Sequence, residues 1–501
     1  MVRPSKPVAV AANKTQVADL YRQLLSSERL RETTDKVRAG DPNQEAISDT
    51  GRIVRSSPFR RLQSKAQVFS MVRSGAVRTR LTHSIEVSNY GELIAEPLVR
   101  RLIAKGHLSE DLRFPFIKTV SNACLLHDIG NPPFGHMGEY AIQTWFEENK
   151  TKLRGAWVGF GKLKGDAFKR HLDAYSNFDG NPHGFRIITR LQWFHDEYGM
   201  NLSLSLLASY LKYMGERPAN KGKFRKKGGY FPTEEEVVKE IWKRLKLNTD
   251  SQGLPLQRHP LVFLMEAADD ISYCLSDIED ALEQRIISEA AFLSWVESKG
   301  FSLDDVKQQA EKLKKSKKKE DALTTNGAYH IFRIKYSGDL VTRAVDAYER
   351  NEDRILSGEM DRSLLSTDIK ATSFLDMLKG FCAEYVYTSR QAIETELGGL
   401  NAIKRLLDAY KPMMLMKTQA FDKLRNPENK DRLRTYPILS LLYSLLPNKH
   451  VAAYEWFTSR DGDLEPFYRA QLVVDYIAGM TDSHVLKIFN MINGTQQFGI
   501  E

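Results

Sequence analysis

Two histidines and two acidic residues lie close together in the segment CLLHDIGNPPFGHMGE, residues 124–139. His127 and Asp128 are adjacent, and His136 and Glu139 are three residues apart, so the second pair shares one face of a helix. Such groups can bind a divalent metal, or a carboxylate can orient a histidine that acts as a base. A histidine at a helix end is more often a capping or core residue, so this segment alone does not decide its role.

A metal ion normally needs four or more donors, and other parts of the sequence offer them. His83 lies in RTRLTHSIEV, where apolar residues recur at helical spacing. Asp269 lies in MEAADDISYCLSDIEDALEQ, where apolar residues form one continuous stripe and Asp269, Tyr273 and Asp277 line up on the opposite side. A water-facing surface helix would give the same pattern, although a cation would relieve so much negative charge.

The elements that position these residues are predicted to be helices. Apolar residues recur at steps of three and four in most segments, and no repeat of 20 to 50 residues is visible, so we predict an all-α fold rather than a solenoid. Gly130 and the two prolines after it separate a helix that ends near His127 from a second helix that begins near Phe134.

Composition excludes several classes of protein. The chain has 501 residues and three cysteines, Cys124, Cys274 and Cys382, which are too few for a disulfide framework and are expected to be buried free thiols. No apolar run reaches the roughly 18 residues of a membrane span, so we expect a soluble cytoplasmic protein without a membrane partner.

The formal net charge is +9, and residues 51–80 contain eight basic residues and no acid. This run indicates either an anionic partner or salt bridges to acids elsewhere.

The ordered set His83, His127-Asp128 and Asp269 resembles the H…HD…D signature of the HD-domain metallophosphohydrolases. The strings RTRLTHSIEV, LLHDIGNPPFGHMGE and MEAADDISYCLSDIEDA resemble one branch, the deoxyguanosinetriphosphate triphosphohydrolases. The likeness runs from about residue 50 to the C-terminal region, through RRLQSKAQVF (60–69), LKYMGERP (211–218), LLDAYKP (406–412) and DYIAGMTD (475–482).

The resemblance implies a metal site and a catalytic pair. The implied ligands of one divalent ion are His83, His127, Asp128 and Asp269. Two imidazoles and two carboxylates without a thiolate suit Mn, Mg, Co, Ni, Fe or Zn rather than a structural zinc site, and Mn or Mg is the expected ion. His136 would be the catalytic base, with Glu139 fixing its tautomer, and the reaction would be water attack at the α-phosphorus of dGTP, giving deoxyguanosine and triphosphate.

The resemblance also implies a set of nucleotide contacts. Tyr273 would pack against the sugar where a 2′-hydroxyl would collide, and Glu396 and Arg432 would lie near the guanine. Tyr273 and Asp277 lie one and two turns beyond Asp269 on its own helix face, which agrees with this assignment. The full implied set is Gln67, Lys212, Tyr213, Tyr273, Asp277, Glu396 and Arg432.

The resemblance further implies a homo-oligomer, with a hexamer as the expected form, in which a neighbour contributes residues near the site. We expect an N-terminal segment (1–50), an HD-type catalytic core (51–290) with an insertion at about 145–235, and a C-terminal helical region (291–501) that packs on the core and completes the nucleotide pocket.

Several other functions stay open at this point. A different HD phosphohydrolase would share the metal ligands without sharing His136 and Glu139. A triphosphohydrolase of broader dNTP specificity could require activation by a nucleotide. A protein that binds single-stranded nucleic acid would explain the basic stretches without catalysis, and a triphosphohydrolase can also bind single-stranded DNA through such a surface. A regulatory relic that binds but does not turn over nucleotide is less consistent with the intact set of ligands.

Overall fold

A computed structural model of the protein describes residues 14–31, 41–71, 74–160, 165–192, 196–216, 227–316 and 327–495. Within these ranges helices alternate with turns and irregular segments, and extended pairing is limited to isolated bridges such as that between Ala66 and Thr79. The predicted all-α fold is confirmed. None of the helices in the described part of the chain is long and apolar enough to cross a membrane.

The helices of the first half of the chain differ widely in length. They are α1 (Lys14–Leu24), α2 (Pro42–Arg55), α3 (Ser57–Arg61), α4 (Arg80–Lys105), α5 (Arg113–Leu126), α6 (Gly135–Phe160), α7 (Gly165–Ser176), α8 (Gly180–Arg186), α9 (Leu204–Tyr210), α10 (Glu235–Arg244) and α11 (Pro260–Glu283).

The second half of the chain continues the helical pattern. Its helices are α12 (Glu289–Ser298), α13 (Asp304–Ser316), α14 (Gly327–Arg350), α15 (Glu352–Leu356), α16 (Ile369–Phe381), α17 (Arg390–Leu415), α18 (Thr418–Arg425), α19 (Arg432–Thr435), α20 (Pro437–Ser444), α21 (Asn448–Arg460), α22 (Glu465–Ala478) and α23 (Asp482–Asn493).

Helices α4, α5 and α11 form the centre of a first hydrophobic cluster. Helix α4 begins with a capping box in which Thr79 and Thr82 each bond the backbone N–H of the other. Gly91 lets α4 approach α5 closely, because a Cβ at this position would lie 2.7 Å from the Cys124 sulfur. This close crossing brings the beginning of α4 next to the end of α5.

Helix α11 is buried on nearly all sides rather than lying at the surface. Its apolar stripe, which includes Ile271 and Leu275, is fully buried, and so are Asp277 and Asp280 on its polar side. A buried carboxylate must be paired, hydrogen-bonded or neutralised. The polar side of α11 is therefore not a solvated face.

A second hydrophobic cluster joins α6 and α7 to α17 and the helices that follow it. Helices α12, α14 and α16 instead pack into the first cluster, so the chain leaves the first cluster at α6 and returns to it before finally joining the second. The predicted domain boundaries stay predictions.

The basic residues at 51–80 divide into inward and outward groups. Lys65 and Arg80 are buried, and Arg78 forms ion pairs with Glu86, Glu279 and Asp280. Arg55 and Arg60 are exposed. Salt bridges therefore account for Arg78, and an anionic partner for the exposed side chains stays a prediction. The three cysteines are buried free thiols, as expected.

Candidate active site

A cavity of about 590 Å³ opens between the two hydrophobic clusters. Its wall is formed by the loop after α3, the start of α4, the turn between α5 and α6, the segment after α9, and by α11 and α17. The residues predicted from the sequence that line it are Gln67, His83, His127, Asp128, His136, Glu139, Lys212, Tyr213, Asp269, Tyr273, Asp277 and Glu396. Arg432, on the short helix α19, is not among the lining residues.

Three of the predicted metal ligands meet at one point. The Asp269 Oδ1 atom lies 3.6 Å from His83 Nε2 and 3.6 Å from His127 Nε2. The ligand atoms of these three residues all lie within 4.8 Å of one another. The His127 Nδ1–H donates to the Cys124 carbonyl at 2.7 Å, so the Nε2 lone pair points to the meeting point. This Nε2 is buried and has no hydrogen-bond partner among the described residues.

Asp128 lies beside this group but not within it. Its Oδ1 is 3.6 Å from His127 Nε2 and accepts a hydrogen bond from Asn131 at 2.6 Å. Its Oδ2 accepts a hydrogen bond from Arg80 at 2.7 Å. Burial would raise the pKa of Asp128, but His127 and Arg80 outweigh it and hold this pKa well below its ordinary value. Asp128 is therefore an ionised carboxylate at neutral pH.

This donor set fits a divalent cation. Burial also opposes ionisation of Asp269, yet His127, His83 and Lys212 hold the pKa of its carboxyl well below the ordinary range. Two imidazoles and two ionised carboxylates without a thiolate are ligands for a hard or borderline divalent ion. The unpartnered His127 Nε2 is the atom that such an ion would satisfy.

His136 and Glu139 form a hydrogen-bonded pair at the start of α6. The His136 Nδ1–H donates to Glu139 Oε2 at 2.8 Å, and the other carboxylate oxygen of Glu139 accepts from the Gly180 backbone N–H at 2.7 Å. Glu139 is buried, whereas the His136 side chain is 86% exposed and lines the cavity. The hydrogen bond that His136 donates to Glu139 is the main reason why the pKa of His136 is raised. Burial lowers this pKa by a smaller amount. The pair therefore presents His136 Nε2 to the cavity.

The polar face of α11 continues from the metal ligands into the cavity. Tyr273 and Asp277 line it, and Asp277 Oδ2 accepts a hydrogen bond from the Tyr387 hydroxyl at 2.7 Å. The other oxygen of Asp277 is buried and has no partner among the described residues. Burial raises the pKa of Asp277 to about 7, despite the opposing effect of Tyr387. Asp277 can thus accept a further hydrogen bond from a ligand in the cavity.

Among the described residues, three basic side chains line the cavity: Arg80, Lys212 and Lys227. The Lys212 ammonium lies 3.7 Å from Asp269 Oδ2 and 4.0 Å from Glu266 Oε1. Lys227 pairs with Asp179 at 2.5 Å. Only Lys212 was predicted individually. Arg80 lies in the basic run 51–80, and Lys227 directly follows residues 217–226, which lie outside the described residues.

Two further predicted residues approach the cavity from opposite sides. Gln67 lies on the loop after α3, and its Oε1 is buried and has no hydrogen-bond partner within the described ranges. Glu396 lies on α17, and burial raises the pKa of its carboxyl. Tyr387, Asn131 and Asn181 also line the cavity and were not predicted. Asn131 lies within the string LLHDIGNPPFGHMGE but was not singled out, whereas Asn181 and Tyr387 lie outside the strings that carry the resemblance.

Comparison with known proteins agrees with this geometry. The HD domain family matches residues 80–167, a range that contains His83, His127, Asp128, His136 and Glu139. Over 474 residues the chain is 34% identical to a deoxyguanosinetriphosphate triphosphohydrolase of Klebsiella pneumoniae. This match covers 87% of this chain and 91% of the relative. The chain is 33% identical over 494 residues to the protein of the same name from Salmonella arizonae, covering 90% of this chain and 94% of the relative.

Proposed function

The chain belongs to the deoxyguanosinetriphosphate triphosphohydrolase family of HD-domain hydrolases, and from this we propose that it hydrolyses dGTP to deoxyguanosine and triphosphate. The observation that carries the proposal is the convergence, in one cavity, of a divalent-metal donor set, the His136–Glu139 pair and a group of basic side chains. A phosphodiesterase or nucleic-acid-binding protein would not need all three together.

We propose His83, His127, Asp128 and Asp269 as the ligands of the metal ion, with Mn or Mg as the preferred ion. Asp128 would contribute its carboxylate, which Arg80 and Asn131 hold in place by hydrogen bonds. A bound divalent ion would activate water and neutralise charge that develops on the phosphoryl oxygens.

His136 is proposed as the base that takes the proton of the attacking water. Because the His136 Nδ1–H donates to Glu139, its Nε2 is free to accept that proton. Glu139 is itself fixed by the Gly180 N–H, so the imidazole is held in one tautomer and one orientation. The water oxygen then attacks the α-phosphorus and the bond from phosphorus to the 5′-oxygen breaks. The 5′-oxygen takes a proton from the solvent and leaves as a hydroxyl of the nucleoside, while His136 releases the proton that it accepted to the solvent.

The basic residues of the cavity are proposed to hold the triphosphate. A triphosphate cannot approach the carboxylates of Asp128 and Asp269 without compensating positive charge. Arg80, Lys212 and Lys227 line the same cavity and supply that charge. Lys212 lies within 4.0 Å of carboxylates on α11, so it would both neutralise these carboxylates and bind a phosphate group.

Sugar and base are proposed to occupy the part of the cavity between α11 and α17. Tyr273 would pack against the deoxyribose and exclude a 2′-hydroxyl, and Asp277 would accept a hydrogen bond from a sugar hydroxyl through its unpartnered oxygen. Tyr213 and Gln67 would contact the sugar-phosphate, and Glu396 would contact the guanine.

Incubation of the purified protein with each of the four dNTPs and GTP, with Mn or Mg, tests these assignments by anion-exchange analysis of the products. Turnover of several dNTPs would remove the guanine assignment, and activity that requires a second nucleotide would indicate activation.

Arg432 and the exposed surface around it lead us to propose a homo-oligomer, with a hexamer as the expected form. Arg432 does not line the cavity of its own chain, so a contact between Arg432 and a guanine would have to be made in a neighbouring copy. Beside it, Leu433, Ile438 and Leu441 are 55%, 71% and 62% exposed, an unusual density of apolar surface for a free face. Sedimentation velocity is expected to show one species several times heavier than the 57.3 kDa chain, and a monomer would contradict this.

Single-stranded DNA is a second proposed partner. Arg61 on α3 and His484 and Lys487 on α23 lie near one another, and none of them is among the residues that line the cavity. The pKa of His484 is lowered first by burial and then by the positive charges of Lys487 and Arg61, so these groups face one another. Fluorescence anisotropy with a labelled oligonucleotide should give an affinity that falls steeply with salt concentration. Absence of binding at low salt would remove this partner.

Replacing Glu139 by glutamine is expected to move the acidic limb of the kcat profile to lower pH. The negative charge of Glu139 raises the pKa of His136, so its loss lowers this pKa and leaves His136 neutral at more acidic pH. The maximal rate should fall as well, because the amide orients the imidazole less strongly. The measurement is kcat at saturating metal from about pH 5 to 9, with Glu147→Gln, an exposed change on the same helix, as control. A limb that does not move would assign the titration to another group.

Replacing Tyr387 by phenylalanine is expected to raise KM for dGTP about tenfold with little change in kcat. The lost hydroxyl bond favours the ionised form of Asp277, so the pKa of Asp277 should rise above about 7 and the carboxylate should be largely protonated at neutral pH. KM should therefore recover as the pH is raised. Tyr385→Phe, two residues away on the same segment and exposed, is the matched control. Equal KM values for both variants would separate Asp277 from nucleotide binding.

A further inference from the structure

The carboxylate of Asp482, the first residue of α23, is buried behind the cavity and bonds to two separate cavity loops. Its Oδ2 accepts hydrogen bonds from the Ala66 backbone N–H at 3.0 Å and from the Ser70 hydroxyl at 2.7 Å. Its Oδ1 accepts from the Phe134 backbone N–H at 3.0 Å. Asp482 itself is not among the residues that line the cavity.

The two loops carry different parts of the proposed site. The loop at 65–70 contains Gln67, which lines the cavity with an unpartnered buried Oε1. Phe134 lies two residues before His136 and has a φ of 59°, a left-handed conformation that is strained for a phenylalanine. A strained backbone persists only where its surroundings fix it, and the bond from Phe134 N–H to Asp482 is one such restraint.

A second contact joins the same two loops to the same end of the chain. The buried ammonium of Lys65 donates to the Asn131 carbonyl at 2.6 Å and to the Ala478 carbonyl at 3.1 Å. Asn131 in turn donates to Asp128. The turn between α22 and α23 thus holds both loops from behind, although it lies nearly 350 residues from His136 in sequence.

We infer that Asp482 is a positioning residue for the reaction, because one carboxylate fixes the loop of Gln67 and the backbone that leads into His136 relative to each other. The inference rests on the proposed function of the cavity. Asp482 touches neither the nucleotide nor the metal ligands. Its effect reaches the reaction through Phe134 on one side and through Ala66 and Ser70 on the other.

A purely structural role for Asp482 must be separated from this one. An acidic residue in the first turn of a helix stabilises that helix through its dipole, so any loss of Asp482 also weakens α23. The cap of α23 is, however, made by Thr481, whose hydroxyl accepts from the His484 N–H. Stability and catalysis can therefore be perturbed independently on the same helix.

The test compares Asp482→Asn with Val485→Ala in the full-length protein. An amide has one acceptor oxygen and cannot accept from both loops, so Asp482→Asn should lower kcat/KM for dGTP between about tenfold and hundredfold while bound metal stays stoichiometric. Val485 is fully buried on α23, and its apolar side chain makes no hydrogen bond to either loop. Val485→Ala should lower the Tm at least as much, with kcat/KM within about twofold of the wild type.

Ser70→Ala supplies a finer measurement that does not depend on the folding of the aspartate variant. It removes one bond from the Gln67 loop and leaves the Phe134 bond intact, so KM should rise about threefold to tenfold while kcat stays nearly unchanged. A change in kcat alone, or no change in either constant, would overturn the inference.

The outcomes distinguish this inference from the proposed function. A wild-type protein that hydrolyses no dNTP overturns the proposed function itself. A wild-type protein that hydrolyses dGTP, together with activities of Asp482→Asn and Val485→Ala that fall in proportion to their Tm values, overturns only the positioning role.

Discussion

Replacing Asp269 by alanine should abolish both stoichiometric metal binding and dGTP hydrolysis, with a loss of at least about 10³-fold in rate. Asp269 is the carboxylate that faces both imidazoles, at 3.6 Å from each Nε2. Its loss would leave a divalent ion with too few donors and with less negative charge to balance it. The measurement is metal content by mass spectrometry after gel filtration, together with triphosphate release.

The neighbouring residue provides the control for this prediction. Asp270 lies next to Asp269 on α11 but does not line the cavity, and its carboxylate lies 3.9 Å from the Lys379 ammonium. Asp270→Asn should keep the metal. An Asp269→Ala protein that retains one metal ion per chain would contradict the assigned ligand set, whatever its activity.

Replacing His136 by alanine should reduce kcat by roughly 10²-fold or more while the protein keeps its fold and its metal. The His136 side chain is 86% exposed, so its loss creates no cavity in the core. Its Nδ1 is bonded to Glu139, which has a second bond to the Gly180 N–H and stays partly satisfied. Loss of turnover without loss of stability is thus expected only if His136 acts on the substrate.

The measurement pairs steady-state kinetics with metal content and thermal unfolding. His330→Gln is the control, because His330 is a partly exposed histidine on α14 that does not line the cavity. A near-normal kcat for His136→Ala would move the proton transfer to another group. Loss of metal in the same variant would instead make His136 part of the metal site.

Local sequence patterns account for the helices and for much of the cavity. His127 and Asp128 follow the end of α5, and His136 and Glu139 lie in the first turns of α6. Because each pair is local in sequence, its spacing already determines how the two side chains are placed relative to each other. The stripe on α11 likewise predicts which side Asp269 occupies. The pattern of α11 does not show whether its acidic residues face water. Their burial depends on helices that are distant in the sequence.

The residues that sequence reasoning missed are those whose roles come from tertiary contacts. In the sequence Arg80 is one of several residues in a basic run. In the structure the crossing of α4 and α5 brings it close enough to donate a hydrogen bond to Asp128. Tyr387 reaches Asp277 from a segment 110 residues later. Asp482 belongs to a string that resembles the family, yet its sequence neighbours say nothing about Ala66 or Phe134. Arg432 shows the opposite case, since it was predicted at the nucleotide but lies outside the cavity of its own chain.

Hydrolysis of dGTP in water enriched in ¹⁸O shows which phosphorus the water attacks. With metal present, mass spectrometry should find one ¹⁸O in the triphosphate and none in the deoxyguanosine, because the bond between phosphorus and the 5′-oxygen is the one that breaks. Label in the nucleoside, or release of dGMP with pyrophosphate or of dGDP with phosphate, would contradict the account.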